Sequence, residues 1–263
     1  MFGAAAATMR LAPWHVSIGV RQNRGPVLTP LEGHRGGGTL ICGRWVLTAA
    51  HSLSEISDLL AADGSLRLSA DVSLRVTAGI TLRRPARDVA VTRVRIHPQF
   101  DPVTLQFDAA LLELASELPD AAFVSPHAPA PGTCGIVAGW GETQTLDPVP
   151  DLRWACLHVT PDAACEQQVW RSLRGDARLM FAAGGDSGPC PLFPAAAIGR
   201  GDSGAGFVVY ESGLPAVYGI ASWSAGRPTN SPTPQVFTRT CTIAGWIARE
   251  VGATMENAAA ASV

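Results

Sequence analysis

From Trp14 the chain alternates. Trp14, Val16, Ile18 and Val20 fall on one face, and His15, Ser17 and Gly19 on the other. A period of two predicts a half-buried strand and excludes a helix there. The same signature returns in short pieces: Thr39-Leu40-Ile41-Cys42 and Trp45-Val46-Leu47-Thr48 flank Gly43-Arg44 as a hairpin. Residues 66–77, 89–96, 136–140 and 154–159 read as further strands. Between them lie a charged Gly/Pro-rich loop at 21–37 and a Pro/Ala-rich stretch at 119–131 that crosses between two halves. Residues 54–62 carry Ile56, Leu59 and Leu60 at a spacing that allows one or two helical turns. Sustained helical spacing appears only near the end, where Ile243, Trp246, Ile247 and Val251 follow Thr242 as a candidate N-cap. Residues 252–263 read as a frayed tail. Many short strands with one terminal helix predict an all-β fold, a barrel or a sandwich.

Composition narrows the function. The 263 residues are 47% hydrophobic and 16% charged, with a formal charge of −2 and a pI near 6.3. That balance leaves no basic footprint for nucleic acid. Every cation is arginine, a coding bias and not a chemical signal. No apolar run approaches the roughly 20 residues that span a bilayer, which argues against a membrane partner. The start, Met1-Phe2-Gly3-Ala4-Ala5-Ala6-Ala7, makes a poor signal peptide. Six cysteines at 42, 134, 156, 165, 190 and 241 form no CxxC and no zinc spacing, so no metal and no cofactor are expected. They read as buried free thiols in a reducing compartment, which places the chain in the cytoplasm. The alternative is secretion, if a signal or propeptide precedes this sequence.

Gly201-Asp202-Ser203-Gly204 sets a serine between two glycines, where backbone N–H groups can converge on one point. Gly185-Asp186-Ser187-Gly188 repeats the four letters, so the motif alone decides nothing. A nucleophilic serine needs a base, and the base needs an orienting carboxylate. His51 closes the run Trp45-Val46-Leu47-Thr48-Ala49-Ala50, whose small residues leave room for an imidazole. Asp108 stands at the edge of the apolar Ala109-Ala110-Leu111-Leu112-Glu113-Leu114. His51, Asp108 and Ser203 thus stand at three strand boundaries.

In these pieces the chain resembles the trypsin/chymotrypsin-like serine protease family over nearly its whole length, and it is identified as a divergent, bacterial-type member. Also matching are Pro13-Trp14-His15-Val16-Ser17, Gly38-Thr39-Leu40-Ile41, His97-Pro98-Gln99-Phe100, Gly139-Trp140-Gly141 and Ile220-Ala221-Ser222-Trp223. The resemblance implies two six-stranded antiparallel β-barrels with a C-terminal helix, in a single peptidase domain at residues 1–251. The barrels would fall at about 14–114 and 132–240 and the helix at 242–251, leaving 252–263 as a tail. It implies His51 as general base, Asp108 as its carboxylate and Ser203 as nucleophile. The N–H groups of Gly201 and Ser203 would form the oxyanion hole, and Ser222 would support Asp108. Ser187 would fall in a loop beside the specificity pocket.

The chain departs from the family at several positions. Ser52 and Gly36 replace one disulfide pair, and Cys134 and Cys165 face Val209 and Ala182 where partners belong. A new pair such as Cys134 with Cys156 stays open. By the resemblance, the amine of Met1 would pair with Asp202 without a propeptide cut. Ala197 holds the pocket-floor position, with Ser224 and Gln235 on the walls. An uncharged floor gives a buried cation no counter-charge and favours small to medium uncharged P1 residues. The expected activity is serine endopeptidase on peptide or protein substrates. A binding module that keeps the triad letters and an esterase using the same triad are the alternatives, and a separate regulatory protein is the expected restraint.

Overall fold

The computed structural model describes residues 5–6, 11–22, 30–53, 72–83, 85–143, 150–172, 174–184, 197–225 and 234–260. Met1, the helical spacing at 54–62, the first part of the strand expected at 66–77, Ser187 and Cys190 lie outside them. The strands are β1 (Ala5–Ala6), β2 (His15–Gln22), β3 (His34–Ile41), β4 (Trp45–Thr48), β5 (Val72–Ala78), β6 (Arg87–Ile96) and β7 (Ala110–Leu114) in the first half. The second half holds β8 (Phe123–Val124), β9 (Cys134–Gly139), β10 (Arg153–His158), β11 (Met180–Ala183), β12 (Gly206–Glu211), β13 (Leu214–Ser224) and β14 (Gln235–Arg239).

The first six long strands close into a barrel of order β2-β3-β4-β7-β6-β5. Closure comes from β5 pairing back onto β2, from Val16 opposite Ala78 to Gln22 opposite Val72. Its interior is the apolar face read from the sequence, including Val16, Ile18, Leu40, Val46, Val76, Val94 and Leu112. The β3–β4 reversal uses Cys42 and Gly43, both at positive φ, +50° and +66°. Because β3 starts at His34, the expected 21–37 loop is shorter than its composition suggested.

The second barrel runs β10-β9-β12-β13-β14-β11. Thr160 N–H to the Ala182 carbonyl and Gly184 N–H to the His158 carbonyl, each 2.8 Å, close it. Phe181, Phe207 and Phe237 fill its centre with ring centroids 5.2–5.4 Å apart. Gly135 and Gly219 make room for them, since a Cβ there would stand 2.2 Å from the Phe207 ring and 2.4 Å from the Phe181 ring.

A third apolar cluster lies between the barrels. Trp14, Trp45, Leu47, Leu111, Trp140, Val208 and Ile220 meet there, with Ile243, Trp246, Ile247 and Val251 of helix α2 (Thr240–Ala260). The crossing segment stitches this seam. Ala122 N–H bonds the Leu40 carbonyl of β3 at 2.9 Å, and the next two residues, β8, pair in parallel with β13.

Several expectations change. β2 is buried on both faces over its first four residues, with His15 and Ser17 2% and 1% exposed, because the second barrel covers their face. Thr242 does not cap α2, since its hydroxyl donates to the Arg239 carbonyl at 2.8 Å and the helix starts at Thr240. The frayed tail is instead helical to Ala260. Gly252 does not take the positive φ that ends helices, and the alanine-rich sequence beyond it favours continuation. A short helix, α1 (Asp162–Cys165), and the π-helical turn Glu166–Trp170 were not anticipated.

The cysteines are also corrected. Cys134 and Cys156 form a disulfide with a Cα separation of 6.1 Å. Cys156 pairs opposite Ile136 and His158 opposite Cys134, so the bond is a diagonal link between neighbouring strands. Cys42, Cys165 and Cys241 are free thiols among the described residues.

Truncating Phe237 to Ala removes one member of the aromatic trio. Denaturant unfolding is expected to show a loss of about 3–5 kcal/mol, and a loss under about 1 kcal/mol would mean the second barrel does not rest on this packing.

Candidate active site

Each key side chain leaves the end of an element packed at the seam. His51 follows β4 through Ala49 and Ala50, both buried. Asp108 precedes β7 on a constrained approach, with Leu105 and Phe107 at positive φ of +57° and +52°. Such backbone costs about 1–3 kcal/mol per bulky residue and persists only where packing imposes it. Here Phe107 stacks on His97 with ring centroids 4.9 Å apart, and His97 meets the edge of Trp246 at 4.9 Å.

Asp108 is 0% exposed. Its carboxylate accepts from the His51 backbone N–H at 2.8 Å, from His51 Nδ1 at 2.6 Å and from Ser222 Oγ at 2.5 Å. An ionised carboxylate has no proton to give, so His51 carries its hydrogen on Nδ1. That leaves Nε2 as an acceptor, 2.9 Å from Ser203 Oγ. The imidazole is 28% exposed, so this end of the chain of bonds opens to a cleft.

The Ser203 turn is fastened on every side. Asp202, also fully buried, accepts from Gly141 N–H at 2.9 Å and Gly199 N–H at 2.8 Å. Gly37 N–H holds the Ser203 carbonyl, Gly204 N–H reaches the Ala221 carbonyl, and Glu142 N–H holds the Arg200 carbonyl, each at 2.8 Å. Gly201 and Gly204 take φ of +89° and +86°. A Cβ on Gly204 would stand 2.2 Å from Thr48 Oγ1. Among the described residues the N–H groups of Gly201 and Ser203 donate to no protein acceptor.

Other expected residues divide. Gln235 is fully buried, and its Nε2 donates to Ser224 Oγ at 3.2 Å across β13 and β14. Ala197 is half-buried. Residues 185–196 and 226–233, which would complete a pocket, lie outside the described part. Asp202 is described, whereas Met1, its expected partner, is not. At the dismantled disulfide, a Cβ on Gly36 would stand 3.4 Å from Ser52 Cβ, close to a disulfide's spacing. Among the described residues no His, Cys, Asp or Glu group has the geometry to hold a metal ion. No helix there is long and apolar enough to cross a membrane.

Sequence reading missed the groups behind the Ser203 turn. His34 Nε2 lies 2.9 Å from the Gly201 carbonyl and its Nδ1 2.7 Å from Ser17 Oγ. His15 stacks on Trp140 with centroids 5.0 Å apart. His15 Nε2 and Trp140 Nε1 are buried without a hydrogen-bond partner among the described residues. Burial first, and then the neighbouring His34, push the His15 imidazole down to about 3. Burial also lowers His34, with the Gly201 carbonyl and Asp202 opposing and Arg35 assisting.

The sequence pattern of the trypsin family matches residues 1–247. The chain belongs to the trypsin family. It is 27% identical over 261 residues to transmembrane protease serine 9 of Rattus norvegicus, covering 95% of this chain and 22% of that one. It is 29% identical over 238 residues to serine protease 56 of Homo sapiens, 82% and 34% of the two chains. Trypsin 5G1 of Aedes aegypti is 30% identical over 225 residues, 81% and 74%. This trypsin-family chain therefore spans between about a fifth and a third of the first two relatives. All three relatives are animal proteins, so the bacterial-type reading finds no support. The cytoplasmic reading finds none either, and its free-thiol argument fails with the Cys134–Cys156 bond.

Buried His15 and half-buried His34 give stability a pH dependence. In the unfolded chain both titrate near 6.5, and in the fold both titrate lower, His15 at about 3. Between those values the unfolded state binds more protons, so stability is complete above pH 6.5 and falls as the pH drops toward 3. Each histidine contributes at most about 1.4 kcal/mol per pH unit. His15→Gln is expected to flatten the slope of unfolding free energy across that window, and an unchanged slope would contradict a neutral buried His15.

Proposed function

We propose that this chain is a serine endopeptidase acting through an acyl-enzyme, with Ser203 as nucleophile, His51 as general base and Asp108 as orienting carboxylate. The observation that carries the reading is the unbroken chain from buried Asp108 through His51 to Ser203 Oγ, with bonds of 2.6 and 2.9 Å. As Ser203 Oγ attacks a substrate carbonyl carbon, its proton passes to His51 Nε2. Asp108 stays ionised and stabilises the imidazolium, supported by Ser222. The carbonyl oxygen becomes an oxyanion between the N–H groups of Gly201 and Ser203, donors worth about 10²–10³ in rate each. The tetrahedral adduct collapses as His51 returns the proton to the leaving amine nitrogen. Water then attacks the acyl-enzyme, with His51 taking and returning a proton in the same way.

The side chains at the pocket positions favour a P1 residue without charge and of small to medium size. Ala197 offers no carboxylate for an arginine or lysine, and the buried Gln235 amide, tied to Ser224, takes up volume. The disulfide supports an oxidising compartment, and hence secretion.

A fluorophosphonate probe is expected to label the wild type and the Ser187→Ala variant and to leave Ser203→Ala unlabelled. Asp108→Asn is expected to lower kcat/KM about 10⁴-fold. A P1-diverse peptide library should then be cleaved after Ala, Ser, Thr or Val and not after Arg. An unlabelled, folded wild type would point to a binding module, and labelling without peptide cleavage to an esterase.

A further inference from the structure

Where β2 begins, β5 ends and β6 begins, one end of the first barrel holds a cavity of about 190 Å³. Its walls include Val16, Leu40, Leu118 and Leu152, all buried. Ala86, Arg87 and Asp120 form its rim and are exposed, so it opens between the β5–β6 turn and the crossing segment. Mouths of β-barrels are common ligand sites. An apolar cavity of about 150 Å³ stays dry and admits one benzene ring, so this one takes a single ring with a small substituent. One lining residue breaks the apolar pattern. His15 is 2% exposed, and its Nε2 has no hydrogen-bond partner among the described residues. Buried polar atoms are nearly always paired, and leaving one unpaired is destabilising. Burial keeps the ring uncharged, and a neutral imidazole nitrogen either donates or accepts. A hydroxyl can answer either way. A charged ligand group has no counter-charge on the buried walls, and the rim carries one cation and one anion.

We infer that this cavity is a binding site for a small phenol, with the ring among Leu40, Leu118 and Leu152 and the hydroxyl bonded to His15 Nε2. A plain hydrocarbon ring fills the same volume and leaves Nε2 unpaired, and a carboxylate or an amine brings a charge that the walls cannot offset. The stack of His15 on Trp140, with centroids 5.0 Å apart, holds the imidazole in place as the ligand enters. None of His51, Asp108 and Ser203 lines the cavity, so the site stands apart from the triad and the inference does not rest on the peptidase reading.

Calorimetric titration of p-cresol into the full chain at pH 7 is expected to show saturable binding to a single site. Toluene, which differs only in lacking the hydroxyl, should bind about 3- to 10-fold more weakly. Nuclear Overhauser contacts should join the cresol ring to the methyl groups of Leu118 and Leu152 and not to those of Leu157 in the second barrel. The nitrogen-15 resonance of His15 Nε2 should shift with cresol and stay in place with toluene. His15→Phe keeps a ring against Trp140 and removes the nitrogen, so it should bind cresol and toluene equally. If that variant fails to fold, the cresol–toluene difference and the contacts in the wild type decide alone. N-acetyltyrosinamide separates the sources of such a ring. Binding as tight as that of cresol assigns the ring to a peptide's tyrosine, binding of cresol alone assigns it to a free small molecule, and both uphold the site. No saturable binding, equal affinity for toluene in the wild type, or contacts to Leu157 in place of Leu118 would overturn it.

Discussion

A carboxylate with no access to water is one of the most expensive groups a fold can hold unless donors surround it. Asp108 is such a group, and its donors come from both halves of the molecule. His51 gives two hydrogens from the end of β4, and Ser222 gives one from β13. Thr238 of β14 adds a bond to the Asp108 carbonyl at 3.3 Å. Charge-assisted bonds of this kind contribute about 1.5–3 kcal/mol each. Because these donors come from both barrels, the hydrogen bonds of Asp108 tie the two halves together.

Asp202 applies the same device a second time. It draws Gly141 and Gly199 toward the Ser203 turn through backbone N–H groups, and glycine is needed at Gly141 because a Cβ there would stand 2.6 Å from the Asp202 carboxyl carbon. One buried acid orients the imidazole and the other shapes the loop that carries the serine. The apolar seam of Trp14, Trp45, Trp140 and the α2 face then keeps water from both and strengthens each electrostatic contact.

How far the sequence disclosed this follows the physics of each part. Strand alternation was legible because a barrel wall has one apolar face, as Val16, Ile18, Leu74 and Val76 demonstrate. His51, Asp108 and Ser203 were legible because each interrupts an apolar run at its edge. His34 was not, since it stands in a run of glycines whose composition reads as loop and whose strand pairing comes from β2. The burial of His15 was equally hidden, because period two names two faces and does not say that a second barrel covers the outer one. The disulfide was one choice among several that six cysteines allow, and only the register of β9 on β10 brings Cys134 to Cys156. The extra turns of α2 passed a glycine that sequence reading takes as a stop.

The bond from His51 to Asp108 spans 57 residues of chain and the bond from His51 to Ser203 spans 152. No local segment brings these groups together, and the loop-closure entropy of such separations is recovered only when both barrels are formed and joined. A nascent chain emerging from the ribosome therefore carries His51 and Asp108 well before it carries Ser203. The bonded array of Asp108, His51 and Ser203 therefore belongs only to the finished molecule, and loss of either barrel dismantles it.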